Sequence, residues 1–229
     1  MTLREMIYHR KSCRSFTGVP VEAEMLEKIR AFPMKPLYPH IKVRWEIVPK
    51  EQVKCICPWT TPQLITVYSE ETEGYLENIG FLFQQMDLYL QTLGLGVCWL
   101  GMGRMNPKTT ATVEDMKFVI MLAFGYPKGD RLRHDLKGFK RKPMEQITDK
   151  PDPRLEPARL APSAVNSQPW YFTHEGDTIH VCCSKKGSRL DAGIALAHLY
   201  VANADTFRFF KADQTADLPG YSYMGSVIL

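Results

Sequence analysis

The chain has 229 residues, 45% of them hydrophobic and 24% charged, with a formal net charge of +4. That is enough for one large domain or two small ones with an ample core. No apolar run approaches the roughly 18 to 20 residues of a membrane helix. The start, Met1-Thr2-Leu3-Arg4-Glu5-Met6, is amphipathic and carries an acid, with no signal-type apolar stretch after it, so a cytoplasmic protein with no membrane partner is expected.

Thr2 to His9 reads as a short helix with Leu3, Met6 and Ile7 on one face. It runs into Arg10-Lys11-Ser12-Cys13-Arg14-Ser15-Phe16. After a turn at Thr17-Gly18, Pro20 is expected to open a helix over Val21 to Ala31, and Pro33, Pro36 and Pro39 forbid its continuation. Val43 to Val48 alternates as a half-buried strand and Leu64 to Tyr68 looks like its partner. The strongest helix is Leu76 to Leu93, with Ile79, Leu82, Phe83, Met86, Leu90 and Leu93 on its buried stripe and Gly94 as its cap. Gly94 to Gly103 reads as a glycine-rich turn, and Lys117 to Phe124 as a strand.

The second half repeats this order. Asp152 to Leu160 is a short or kinked helix, because Pro157 interrupts it. A loop, Ala161 to Pro169, leads into strand Trp170-Tyr171-Phe172, and a turn at Glu175-Gly176-Asp177 makes a hairpin with Thr178 to Cys183. Leu190 to Ala204 is apolar almost all round and should be a central helix; Ser222 to Leu229 closes the chain as a strand. Both halves thus read helix, loop, strand, strand, core helix, strand. The expected architecture is α+β: two half-domains, 1–145 and 146–229, with antiparallel or mixed sheets and two packed core helices in one compact unit. The basic stretch near Lys128 to Asp149 would be the linker.

The six cysteines include Cys55 and Cys57 one apart and the adjacent Cys182 and Cys183. None shows paired C-x-x-C spacing, so reduced thiols are expected and no metal site. The cations Lys128, Arg131, Arg133, Lys137, Lys140, Arg141 and Lys142 lack the aromatic interleaving of a nucleic-acid surface, and no nucleic-acid partner is expected.

Several stretches carry chemistry. Arg10 and Arg14 offer guanidinium forks for a phosphate, with Lys11 beside them and Ser12 adding a hydroxyl. In Ala161-Pro162-Ser163-Ala164-Val165-Asn166-Ser167-Gln168-Pro169-Trp170, Ser163 and Ala164 are small enough for close approach. Asn166 and Gln168 each donate and accept, a set suited to a flat, polar-edged heterocycle. A cap explains Gly94 but not Gly101 and Gly103, which permit close backbone approach.

Together these motifs resemble the FMN-dependent nitroreductase family. The resemblance lies in Arg-x-Ser-x-Arg-x-Phe from Arg10, Gly-Leu-Gly-x-Cys-Trp-Leu-Gly from Gly94, Gly125-Tyr126-Pro127, Lys140-Arg141-Lys142-Pro143-Met144, and the Ala-Pro-Ser-Ala-x-Asn-x-Gln-Pro-Trp loop. It implies FMN contacts at Arg10, Lys11, Ser12, Arg14, Leu100, Gly101, Arg141, Pro162, Ser163, Ala164, Asn166 and Gln168. The backbone N–H groups of Leu100 and Gly101 would face the N5 and O4 edge. Family members are usually homodimers with that loop after the second helix. Here Ala31-Phe32-Pro33-Met34-Lys35-Pro36 stands there without Ser, Asn or Gln, so the chain looks like a variant branch in which two half-domains imitate the dimer.

The implied function is an oxidoreductase taking a hydride from NADH or NADPH and passing it to a small acceptor such as a nitroaromatic or quinone. One FMN per chain is implied, in a monomeric pseudo-dimer or a homodimer. The flavin carries the chemistry, so no catalytic side chain is nominated. A non-catalytic FMN-binding or storage protein, or a family member acting on another substrate, is the alternative.

Overall fold

The computed structural model describes residues 1–54, 61–106, 115–213 and 218–229. Cys55 and Cys57 lie outside them. In chain order the elements are α1 (Leu3–His9), α2 (Ala23–Arg30), β1 (Val43–Pro49), β2 (Val53–Lys54), β3 (Gln63–Ser69), α3 (Tyr75–Thr92), β4 (Gly96–Leu100), β5 (Arg104–Met105) and β6 (Lys117–Gly125). After short 3-10 turns follow α4 (Glu156–Arg159), β7 (Trp170–Glu175), β8 (Thr178–Ser184), α5 (Arg189–Ala202), β9 (Arg208–Phe210) and β10 (Tyr221–Ile228). Among the described residues no helix is long and apolar enough to cross a membrane.

Local chemistry accounts for most boundaries. Thr2 and Glu5 form a reciprocal capping box that starts α1. Extended Glu22 stands at the N-cap position of α2 without a side-chain cap bond; the helix begins two residues beyond the expected Val21, and Pro20 stays outside it. Gly94 at φ +92° ends α3, with its N–H on the Gln91 carbonyl and the Leu95 N–H on the Leu90 carbonyl. One expectation is corrected. Gly96–Leu100 is not part of a turn but a strand, paired with β6 from Gly96↔Gly125 to Leu100↔Met121. Val97, Cys98, Trp99 and Leu100 suit a strand, and the neighbouring β6 supplies the ladder.

The chain divides into two packed units. The first comprises Met1–Tyr75 and Met86–His134. Its four-stranded sheet runs β1-β3-β6-β4, antiparallel throughout. A buried cluster of Phe16, Val48, Leu64, Leu100, Met121 and Ala123 forms part of its core. The second unit comprises Leu76–Gln85 and Asp135–Leu229. Its four-stranded sheet runs β7-β8-β10-β9, also antiparallel.

The two sheets share one wiring. Each has its first two strands adjacent, then a core helix, then a third strand at the edge and a fourth between. In the second unit, α5 packs on the first part of α3 with backbone against backbone. A Cβ on Gly80 would collide with the Leu190 carbonyl, and one on Gly193 with the Glu77 carbonyl. Arg189 caps the crossing by gripping the buried Glu77 carboxylate, Nη2 to Oε1 at 2.5 Å.

Candidate functional site

The first unit builds an anion cleft around the segment that leaves α1. Arg10 breaks the helix at φ −58°, ψ 141°, and the chain runs on extended. Ser12 bridges Val97 in parallel, and the Cys13 N–H donates to the Val97 carbonyl at 2.8 Å. Gly96 makes this approach possible, since a Cβ there would lie 2.6 Å from the Cys13 Sγ. On the other side Phe16 bridges Pro127, and the Lys128 N–H donates to the Ser15 carbonyl at 2.9 Å.

Between these flanks lies a cleft of about 310 Å³ lined by Lys11, Ser12, Cys13, Arg14, Ser15, Lys128, Asp130 and Arg131. Lys11, Arg14 and Lys128 are exposed and Arg131 is half-buried. The sole acid of the lining, Asp130, accepts from the Leu132 N–H at 3.1 Å and from His134 Nε2 at 2.8 Å. These contacts hold its carboxyl below the usual range, so it stays an anion while cations dominate the lining.

Arg10 lies under this cleft rather than on its rim. Its side chain is 1% exposed, and Nε and Nη2 donate to the Asp87 carboxylate at 3.3 and 3.4 Å. Nη2 also donates to Ser12 Oγ at 3.3 Å. Ser12 Oγ therefore accepts from below, which leaves its own O–H to donate elsewhere. Gln91 completes the layer: Nε2 donates to Asp87 Oδ1 at 2.6 Å, Oε1 accepts the Lys11 N–H at 3.1 Å, and the Gln91 carbonyl accepts from Arg131 Nη1 at 2.8 Å. Leu100 ends β4 as a buried residue, and Gly101 follows it exposed, where a Cβ would meet nothing within 4 Å.

The second unit holds the other predicted residues in one hydrogen-bonded loop. Pro162 is buried. The Ala164 N–H donates to both Asp191 oxygens at 3.2 Å. Ser163 Oγ accepts the Gln168 N–H at 2.9 Å, while the Gln168 side chain spans the Lys142 N–H at 2.6 Å and the Arg159 carbonyl at 3.0 Å. Asn166 takes a short contact from Arg141 and donates to the Lys140 carbonyl at 2.9 Å. Arg141 also grips the Leu160 carbonyl through Nε and Nη2 at 3.3 and 3.2 Å. Val165, Asn166 and Gln168 all take positive φ, at 48°, 57° and 44°, and Val165 is 98% exposed. This backbone is strained for residues with a Cβ, and the side-chain bonds hold it there. Trp170, 1% exposed, anchors β7.

The structure thus gathers Arg10, Lys11, Ser12 and Arg14 in the first unit, where Leu100 and Gly101 end β4, and Arg141 with Pro162 to Gln168 in the second. Sequence reasoning missed Asp87, Gln91 and Asp130 and read Lys128 and Arg131 as linker. The available signal was a pair of polar residues four apart, Asp87 and Gln91, in a helix otherwise read as buried. At Phe32 the missing loop chemistry is replaced by packing: its ring stacks on Tyr89 at 4.0 Å and 6°.

Other chemistries fit poorly. Ser226, His180 and Glu175 line up at 2.8 and 3.1 Å like a hydrolytic triad, but Ser226 is 0% exposed. Burial pushes the Cys13 and Cys182 thiols up, and Cys183 to about 11, so none is a ready thiolate. Among the described residues no group of three or more His, Cys, Asp or Glu is placed to hold a metal ion.

The fold defines the class. The chain is similar over 100% of its length, and 94% of the other, to a "putative nitroreductase" of Thermotoga maritima MSB8, with a TM-score of 0.72 and 24% identity. Its α+β fold is that of the nitroreductases. A family model described as "Putative TM nitroreductase" matches residues 2–203. The chain belongs to that family and is a nitroreductase-family oxidoreductase. It also resembles a nitroreductase family protein of Clostridium difficile 630 over 64% of this chain and 96% of that one, at 19% identity and a TM-score of 0.48. An FMN-dependent nitroreductase of Clostridium difficile R20291 is similar over 62% and 98%, at 16% identity and a TM-score of 0.44. No curated protein matches the chain.

Proposed function

We propose that the protein is an FMN-dependent oxidoreductase that takes a hydride from NADH or NADPH and passes it to a small organic acceptor such as a nitroaromatic or a quinone. The observation that carries this reading is the cleft of the first unit. Its donor set fits a phosphate monoester: Lys11, Arg14, Lys128 and Arg131 supply positive charge, and Ser12 has a hydroxyl proton to give. Bound there, FMN supplies hydride acceptance and release at N5, chemistry no side chain offers.

On this reading the chain's residues bind and orient. Lys11, Ser12 and Arg14 take the phosphate from the rim and Arg10 supports Ser12 from beneath. Leu100 and Gly101 offer backbone at the end of β4, where a Cβ on Gly101 would meet nothing within 4 Å. Arg141, Pro162, Ser163, Ala164, Asn166 and Gln168 are proposed as flavin contacts on the sequence resemblance, acting through a loop whose shape their own hydrogen bonds fix. The shared wiring of the two sheets supports reading them as tandem half-domains, with one FMN per chain.

The test is an absorbance spectrum of the purified protein followed by anaerobic addition of NADH and then NADPH. A yellow protein with about one FMN per chain that bleaches with either nicotinamide is expected. Colourless protein that takes up no added FMN sinks the assignment. Bound flavin that neither nicotinamide reduces makes the protein a binder and not an enzyme.

A further inference from the structure

Two parts of the anion cleft arrive from separate places in the chain, Lys11 and Ser12 after α1 and Arg131 after β6. Gln91 bonds the Lys11 N–H and Arg131 directly, and reaches Arg10 beneath them through Asp87. We infer that Gln91 is the positioning residue that sets the anion cleft, and so the grip on a phosphate-bearing flavin; this rests on the FMN reading above.

The chemistry of the amide makes the case. The Gln91 side chain must donate to a carboxylate, Asp87, and accept from a backbone N–H, Lys11, at the same moment. At neutral pH glutamine is the straight-chain side chain of this length that does both. Glutamate has no proton to offer Asp87 and adds a like charge beside it; leucine offers neither contact; asparagine is one carbon short. Through Asp87 the amide also fixes Arg10, whose remaining bond to Ser12 Oγ sets which way the Ser12 proton points.

The backbone of the same residue acts independently. Its carbonyl lies at the C-terminal end of α3, the negative end of the helix dipole, and takes both the Gly94 N–H at 3.2 Å and Arg131 Nη1 at 2.8 Å. Arg131 is therefore drawn to one place instead of sampling solvent. Gln91 is itself 1% exposed, so it orders the ligand's contacts without making one.

The test compares FMN with riboflavin, which has the same ring and ribityl chain and no phosphate, by quenching of flavin fluorescence on titration into flavin-free protein. The wild type should prefer FMN; no preference overturns the phosphate reading itself. Gln91→Leu should weaken FMN by roughly ten- to a hundredfold, the scale of charge-assisted hydrogen bonds, and riboflavin by less than about twofold on the same scale. Gln91→Glu should show the same selective loss at alkaline pH and recover part of it in mild acid, as the new carboxyl gains a proton that it can donate. An FMN preference unchanged in both variants, or both flavins weakened alike, overturns the inference. Should Gln91→Leu not fold, Gln91→Asn, one carbon too short to reach both partners, decides by the same comparison: selective loss of FMN supports the positioning role, and none refutes it.

Discussion

Arg10 and Asp87 meet entirely out of water, at 3.3 Å with side chains 1% and 0% exposed. Removing one member strands the other charge, which costs about 3–5 kcal/mol. Asp87→Ala and Arg10→Ala are therefore each expected to lose that much in urea denaturation. The double variant Arg10→Met with Asp87→Leu should recover most of it, because an apolar pair owes no desolvation. Singles losing less than about 1 kcal/mol would mean that water reaches the pair.

Alanine in place of a helix glycine ordinarily stabilises, by roughly 0.5–1 kcal/mol. At Gly193 and Gly80 the sign should reverse, because each Cβ would enter the backbone of the facing helix. A loss of about 1–3 kcal/mol per site follows from overpacking. Gly101→Ala, with open space around its Cβ, should leave the melting temperature unchanged. Calorimetry of the three variants checks both halves of the prediction.

Burial pushes the Asp191 carboxyl up to about 6, against the opposing hydrogen bond from Ala164. A raised folded-state value means that the native state holds its proton more tightly. Its contribution is full below the unfolded value near 4 and is lost as pH rises through about 6. Asp191→Asn, which can still accept from Ala164, should be more stable than wild type by about 1–3 kcal/mol at neutral pH. The two should converge near pH 4; denaturant curves at both values give the comparison.

Asp152 works in the opposite direction. Burial raises its carboxyl, but hydrogen bonds from the Arg154 side chain and backbone and from His174 outweigh that and bring it to about 2. Its contribution is present above the unfolded value near 4 and is lost as pH falls through about 2. His174, held between Asp149 at 2.6 Å and Asp152 at 3.1 Å, belongs to the same clamp on the start of the second unit's chain. Asp152→Asn should flatten the pH dependence of melting across this acid range; a slope equal to wild type would count against it.

The sequence made legible whatever local chemistry decides. Thr2 with Glu5, Gly94 after α3 and the hairpin through Gly176 are each set by neighbouring residues, and the structure places helices and strands there. Where distant chain decides, reading failed. The glycines around Val97 to Leu100 suggested a turn because nothing local announces that Gly96 must admit Cys13 while β6 pairs alongside. Arg10 looked like a free fork because its counter-ion stands 77 residues away. The bonds that tie Asn166 and Gln168 to Lys140, Arg141 and Lys142 join groups 25 or 26 residues apart, and so were not legible either.

The division of α3 has a consequence for how the chain can be made or cut. Leu76–Gln85 packs with residues that follow Asp135, whereas Met86 onward packs with those that come before. A break at His134 therefore yields no independent C-terminal piece, since that fragment would lack the helix turn that Gly193 is fitted against. On the ribosome the same ten residues must wait, already synthesised and helical in pattern, for a partner about a hundred residues later. Trimming or swapping the second unit as a cassette would have to carry that turn with it.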